Sequence, residues 1–181
     1  LASKTVVVSH ELSHMLQHRF GLRKHKIAFI PNGINTCFYD QEDAARESMR
    51  TALHYKRTHF VIGFAGRLDP VKNFDLLINI FACCADKEAT CQLLLIGDGP
   101  EKARITRLCK EKNLQDRVLF VGQQEEVLPY LRALDAFILT SYREQMPMTV
   151  LEAMAVGIPV VASHVGELPH VIDPRLDGLL V

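Results

Sequence analysis

The residues best suited to chemistry gather in two short loops. The first, Gly66-Arg67-Leu68-Asp69-Pro70-Val71-Lys72, follows an apolar run and leads toward a helix. Gly66 allows backbone to approach a ligand closely. Arg67 and Lys72 place two cations beside a helix N-terminus, whose unpaired N–H groups already favour an anion. Such a set suits a diphosphate. The same two cations are also compatible with solvated loop charges, and these residues alone leave both readings open.

The second loop runs from Thr140 through Glu144, Pro147, Met148, Thr149, Val150 and Glu152 to Ala155. Pro147 makes one continuous helix improbable, so Glu144 falls in the loop and Glu152 in the first turn of the helix that follows. Both carboxylates can then face a ligand held above that helix N-terminus. Glu152 has a structural alternative, because Thr149-x-x-Glu152 has the form of a capping box that returns the carboxylate to the Thr149 backbone N–H. A carboxylate has two oxygens and can do both.

The elements that must position these loops follow from hydrophobic patterning. Short apolar runs are expected as strands at Thr5 to Val8, Lys26 to Ile30, Phe60 to Ala65, Gln92 to Ile96, Arg117 to Val121, Ala136 to Leu139, Pro159 to Ala162 and Leu179 to Val181. Between them, helical periodicity is expected at Glu11 to Phe20, Glu42 to Leu53, Asn73 to Ala85, Glu101 to Lys112, Val127 to Leu134, Thr149 to Val156 and Glu167 to Ile172. Alternation of this kind specifies an α/β fold, a Rossmann-like doubly wound parallel sheet with helices on both faces. Most of the runs are continuously apolar, as strands buried on both faces should be. In such sheets ligands bind beyond the carboxyl ends of the strands, where both loops lie.

Composition narrows the classes further. The chain has 181 residues, 48% of them hydrophobic, which is enough for one core and is expected to form a single domain over 1–181. Lys plus Arg and Asp plus Glu both number 21, so no global field marks a nucleic acid or an anionic membrane as partner. The five cysteines are odd in number and contain no C-x-x-C pair, as expected of reduced thiols in a cytoplasmic protein rather than a disulfide framework or zinc ribbon. No apolar run reaches the length of a membrane span. Leu1 leads almost at once into a strand and Val181 ends within an apolar run, the pattern expected of a piece excised from a longer chain.

Glu144 and Glu152 are followed by Ala153-Met154-Ala155-Val156-Gly157-Ile158-Pro159-Val160-Val161-Ala162. This stretch resembles the signature of the group 1 (GT4) glycosyltransferases. Ile30-Pro31-Asn32-Gly33-Ile34, the Gly66-Arg67 to Lys72 spacing and Gly97-Asp98-Gly99-Pro100 resemble the same family in the same order. The resemblance covers essentially the whole chain. It implies a GT-B enzyme of two Rossmann-like domains, this being the C-terminal, donor-binding one and the N-terminal acceptor domain lying outside it.

Further roles come with the resemblance. Arg67 and Lys72 would hold the diphosphate of a nucleotide-sugar donor, Glu144 would contact the transferred sugar as the catalytic carboxylate, and Glu152 would bind the ribose hydroxyls. The backbone N–H groups of Met148, Thr149 and Val150 would meet sugar and phosphate beside Gly66. Such an enzyme transfers a hexosyl group with retention, to an acceptor such as a glycan or lipid-linked sugar, without cofactor or essential metal. Two protein cations and a helix N-terminus can stabilise the leaving diphosphate that a metal serves elsewhere. The resemblance leaves acceptor recognition, and peripheral contact with the inner face of a membrane, to the missing half. The isolated piece is expected to be inactive.

Three departures bear on the donor. Gln145 stands where the family usually has Gly, Asn73 replaces a common Gly, and Gly166-Glu167-Leu168-Pro169-His170 stands where Gly-Gly-x-Pro-Glu is frequent. A dinucleotide fingerprint fails at Lys102, where its third Gly would stand. His10, His14 and His18 share one helix face, a spacing that could hold a metal, but without a carboxylate or cysteine set beside them they are expected to be solvent-exposed, with His164 and His170 as loop residues rather than catalytic bases. Two alternatives share the fold, a noncatalytic nucleotide-sugar-binding module and a GT-B-fold sugar-nucleotide epimerase. Sugar release without an acceptor, compared with transfer to one, separates them.

Overall fold

In a computed structural model that describes residues 3–39 and 43–181, the chain forms eight strands and seven α-helices among the described residues. The N-terminal unit comprises β1 (Thr5–Val7), α1 (His10–His18) and β2 (Ile27–Phe29). After it come α2 (Asp43–Ala52), β3 (Phe60–Ala65), α3 (Phe74–Lys87), β4 (Cys91–Ile96), α4 (Lys102–Glu111), β5 (Val118–Gly122) and α5 (Leu128–Arg132). The remainder is β6 (Ala136–Leu139), α6 (Met148–Ala155), β7 (Val160–Ala162), α7 (Leu168–Val171) and β8 (Gly178–Leu180). The expected start of α2 at Glu42 lies outside the described residues. No helix among the described residues is long and apolar enough to cross a membrane.

Six strands form a wholly parallel sheet in the order β5-β4-β3-β6-β7-β8. Counted from β3, this is the doubly wound 3-2-1-4-5-6 arrangement, with its reversal between β3 and β6. Burial follows the strand chemistry. Val61, Phe64, Leu93, Leu94, Leu95 and Phe137 have no exposed surface, because helices cover both faces. Phe64 packs edge-on against Phe74 of α3 at 5.0 Å.

The sequence patterning gives no hint that β1 and β2 stand apart. They pair with each other in a separate two-stranded parallel sheet, Thr5 opposite Ile27. The unit has little core of its own: α1 contains no buried residue, and Val6, Phe20, Phe29 and Ile30 are exposed. Patterning assigns a residue to a strand but is blind to which sheet that strand joins.

The reversal point is fastened by a charged knot. Asp135, just before β6, accepts the Val61 backbone N–H at 2.7 Å and returns its own N–H to the Val61 carbonyl at 2.8 Å. Its carboxylate also pairs with Arg46 and with buried Arg50 of α2. Arg50 donates further to the carbonyls of Ala133, Lys56 and His59, so both terminal nitrogens of its guanidinium are engaged. Removing one partner of a buried pair strands the other charge. Arg50→Ala is therefore expected to cost about 3–5 kcal/mol in urea unfolding. Arg57→Ala, which removes an exposed pair with Glu47, is expected to change stability by less than about 0.5 kcal/mol.

Candidate nucleotide-binding crevice

β3 and β6 pair only through Ile62 with Ala136 and Gly63 with Phe137. Gly63 is required there, since a Cβ would lie 2.3 Å from the Leu134 side chain. Beyond that short contact, the carboxyl ends of β3, β4 and β5 carry three loops laced by backbone hydrogen bonds. Gly66 N–H donates to the Ile96 carbonyl, Leu68 N–H to that of Asp98, and Gly97 N–H to that of Gly122, at 2.7–2.9 Å. Gly97 has φ +136, and an added Cβ would meet the Gly66 carbonyl oxygen at 1.9 Å, so only glycine lets these loops close up.

They enclose a cavity of about 630 Å³. Gly66 and Arg67 contribute from the β3 loop, Gly97 to Pro100 from the β4 loop, Gln123, Gln124 and Val127 from beyond β5, and Thr149 from the first turn of α6. Arg67 is the cation of this wall. Its side chain is 73% exposed, with only a 3.5 Å pairing to Asp69. Asp98 is held below the ordinary carboxylate range by the hydrogen bond from the Lys102 ammonium and then by the Gly99 N–H. Asp98 is thus ionised but compensated by Lys102, which leaves Arg67 as the exposed cation of the wall.

Lys72 and Glu144 stand beside this arrangement and face each other. The Lys72 Nζ to Glu144 Oε1 distance is 2.6 Å, and the side chains are 18% and 9% exposed. Ser141 Oγ donates to the same carboxylate oxygen at 2.6 Å. Thr140 Oγ1 donates to the Lys72 carbonyl and Tyr142 N–H to that of Val71, which sews the β3 and β6 loops together. Pro70 to Lys72 form a 3₁₀ turn that ends on Asn73 at φ +54. Asn is among the few non-glycine residues that adopt this conformation readily, so its replacement of Gly is accommodated. Its side chain also caps α3 through the Leu76 N–H.

The Glu144 loop is braced from two further directions. Asn32, in the loop after β2, donates through Nδ2 to the Met146 carbonyl at 2.8 Å. Glu167 N–H donates to the Gln145 carbonyl at 2.8 Å. Gly166, at φ +58, lies so close that a Cβ would meet the Glu144 carbonyl oxygen at 2.2 Å.

The expected capping box is absent. α6 begins at Met148 with Pro147 as its N-cap and no side-chain cap, so Thr149 lies inside the helix and Glu152 a turn further on. Pro supplies the fixed φ at the helix entrance, which moves the start one residue upstream of Thr149. Glu152 instead accepts from Tyr39 Oη at 3.4 Å. Burial first, and then the Glu152 charge and hydrogen bond, raise the Tyr39 pKa. The residues sequence reasoning missed are Gln123, Gln124 and Tyr39. Gln124 is fixed by the Val121 carbonyl at 2.6 Å and Tyr130 Oη at 2.8 Å, contacts that no local motif announces.

Residues 45–181 match the family described as glycosyl transferases group 1. The chain is 33% identical to a D-inositol 3-phosphate glycosyltransferase of Corynebacterium jeikeium, over 86% of this chain and 39% of that protein. Among solved structures, Anabaena HepE in complex with UDP and glucose superimposes with a TM-score of 0.90 at 25% identity, covering all of this chain and 50% of that one. A sucrose-phosphate synthase from Thermosynechococcus elongatus gives 0.84 at 32% identity, covering all of this chain and 45% of that one. The chain thus spans half or less of the length of these relatives, and its sheet is one Rossmann-like layer of a GT-B fold.

With no cap to lose, Glu152→Ala is expected to shift unfolding stability by less than about 0.5 kcal/mol. A loss nearer the roughly 0.5–2 kcal/mol of a broken cap, measured in urea melts, would restore the capping role.

Proposed function

This chain belongs to the group 1 glycosyl transferase family, and on that premise we propose that its crevice binds the nucleoside diphosphate of a nucleotide-sugar donor. The observation that carries the reading is the cavity at the sheet reversal. It brings a glycine-lined backbone, the underpaired Arg67 and the first turn of α6 to one place. Anabaena HepE, the neighbour quoted above, binds UDP and glucose, which supports a nucleotide sugar as ligand here.

Charge sorts the ligand within the cavity. The diphosphate belongs against Arg67 and the first-turn N–H groups of Met148 and Thr149, where a guanidinium and helix amides stabilise negative oxygen; the Val150 N–H is taken by the Pro147 carbonyl. The neutral nucleoside belongs away from Arg67, toward the amides of Gln123 and Gln124. Glu152, with one weak partner in Tyr39, has an oxygen available for a ribose hydroxyl. Lys72 reaches the diphosphate by sharing its ammonium with Glu144, and Glu144 contacts the transferred sugar.

As part of a longer enzyme, the domain serves retaining transfer of a hexosyl group to a glycan or lipid-linked acceptor held by the other half. As leaving-group charge develops, Arg67, Lys72 and the α6 amides stabilise it in place, and this requires no metal. One wall of a cleft alone leaves water at the reacting centre, so chain 1–181 by itself is expected not to transfer sugar.

Calorimetric titration with UDP, GDP and ADP tests the site. Arg67→Ala is expected to weaken binding of the preferred diphosphate by about 1.5–3 kcal/mol, the range for hydrogen bonds to charged groups. Lys72→Ala is expected to cost less, because its ammonium is already committed to Glu144 and acts as a point charge. Unchanged affinity in both variants would return these cations to the status of solvated loop charges.

A further inference from the structure

Three ligand-type side chains, one of them 157 positions or more from the other two, meet where the N-terminal unit touches the six-stranded sheet. They are His10, the first residue of α1, Glu167, just before α7, and His170 within α7. Among the described residues they form a group whose ligand atoms all lie within 4.8 Å of one another. His10 Nδ1 is 2.9 Å and His170 Nδ1 3.4 Å from the same atom, Glu167 Oε2. None of the three lines the nucleotide crevice. Glu167 and His170 are also the two positions at which this chain departs from the Gly-Gly-x-Pro-Glu pattern usual in its family.

We propose that His10, Glu167 and His170 form a binding site for a zinc-class divalent cation, separate from the donor site. Two imidazoles and a carboxylate are a recurrent three-ligand zinc set, with the fourth position left to water. Zinc bonds of about 2.0–2.2 Å in tetrahedral geometry place neighbouring ligand atoms roughly 3.3–3.6 Å apart. The His170 separation of 3.4 Å falls within that spacing, and the His10 separation of 2.9 Å would open slightly on binding. The third closes by rotation of histidine side chains that are 61% and 63% exposed.

The carboxylate is preset for the task. Its side chain is 2% exposed, and its other oxygen, Oε1, accepts the His10 backbone N–H. Its own backbone N–H is held by the Gln145 carbonyl. One oxygen is thus spent on orientation and the other is aimed between the two rings, the division of labour that orients metal-bound carboxylates. Without a metal, each neutral ring would turn an Nδ1–H toward that oxygen. With one, each would present its Nδ1 lone pair and carry its single proton on Nε2, a change of tautomer with no net proton release.

An ion here would tie α1 and the two-stranded sheet to the segment that braces the Glu144 loop through Gly166 and Glu167. Its role is that of a staple between the two sheets, independent of the diphosphate chemistry.

The test uses chain 1–181 stripped with a chelator and then titrated with zinc chloride against a chromophoric competitor, with thermal melts and cobalt(II) absorption spectra alongside. The expected results are one zinc per chain, a raised melting temperature, and cobalt bands without thiolate charge transfer. His10→Ala and His170→Ala should each weaken zinc binding by more than about tenfold, the least expected when a ligand itself is removed. Glu167→Gln, which keeps an oxygen for the His10 N–H, should do the same. The double substitution of His14 and His18 by Ala should leave zinc binding intact. Both imidazoles of the site are mostly exposed, so circular dichroism should show native folds for the single histidine variants. The proposal is overturned if zinc fails to bind at one per chain, if binding survives His10→Ala and His170→Ala, or if cobalt spectra show thiolate ligation.

Discussion

The functional half of the molecule depends on the two-residue contact between β3 and β6. There the order of the sheet reverses, and every loop with chemistry on it is placed by where those two strands begin and diverge. Asp135 sets that point by exchanging backbone and side-chain hydrogen bonds with Val61 while gripping Arg46 and Arg50. Gly63 then allows Leu134 to lie directly on the β3 backbone. A crevice at a reversal point needs no special construction, because successive helices leave the sheet on opposite faces and their loops part. What this sequence adds is the lining, namely glycines that let the loops approach each other and a cation, Arg67, held only by a long pair with Asp69 among the described residues.

The charge pattern around the crevice separates two kinds of residue. Arg67 is poised in solvent with a weak partner, whereas Lys72 and Glu144 neutralise each other in a mostly buried pair that also holds Ser141. In this state Lys72 and Glu144 are preorganised rather than free. A donor that draws on either must trade against their attraction, while Arg67 can engage a diphosphate with little loss. Under the proposed donor reading, Arg67 would capture the diphosphate first, and Lys72 and Glu144 would be recruited only once their mutual pair is broken.

Much of this was legible in the sequence because the signals are local. Continuous apolar runs marked every strand to within a few residues, and Gly66, Arg67 and Thr149 do line the crevice. The failures share one physical origin, dependence on partners distant in the chain. The pairing of β1 with β2 rather than with the main sheet leaves no mark on periodicity. Thr149-x-x-Glu152 has the composition of a capping box, but Pro147 supplies the helix start and Glu152 turns to Tyr39 instead. His10 seemed to lack a carboxylate neighbour because that neighbour, Glu167, is 157 positions away. Glu167 itself looked like a loop substitution, yet it is buried. Burial raises its pKa, and the hydrogen bonds and charge of His10, with the charge of His170, more than offset that.

The most direct test of the central claim is amide hydrogen exchange on the chain with and without saturating nucleoside diphosphate. Exchange reads each backbone N–H separately. Binding at the sheet reversal predicts new protection confined to Gly66–Leu68, Gly97–Gly99, Gln123–Gln124 and Met148–Thr149, with β1, α1 and β2 unchanged. Protection at the opposite, N-terminal ends of the strands, or none at these four segments despite measurable binding, would contradict it.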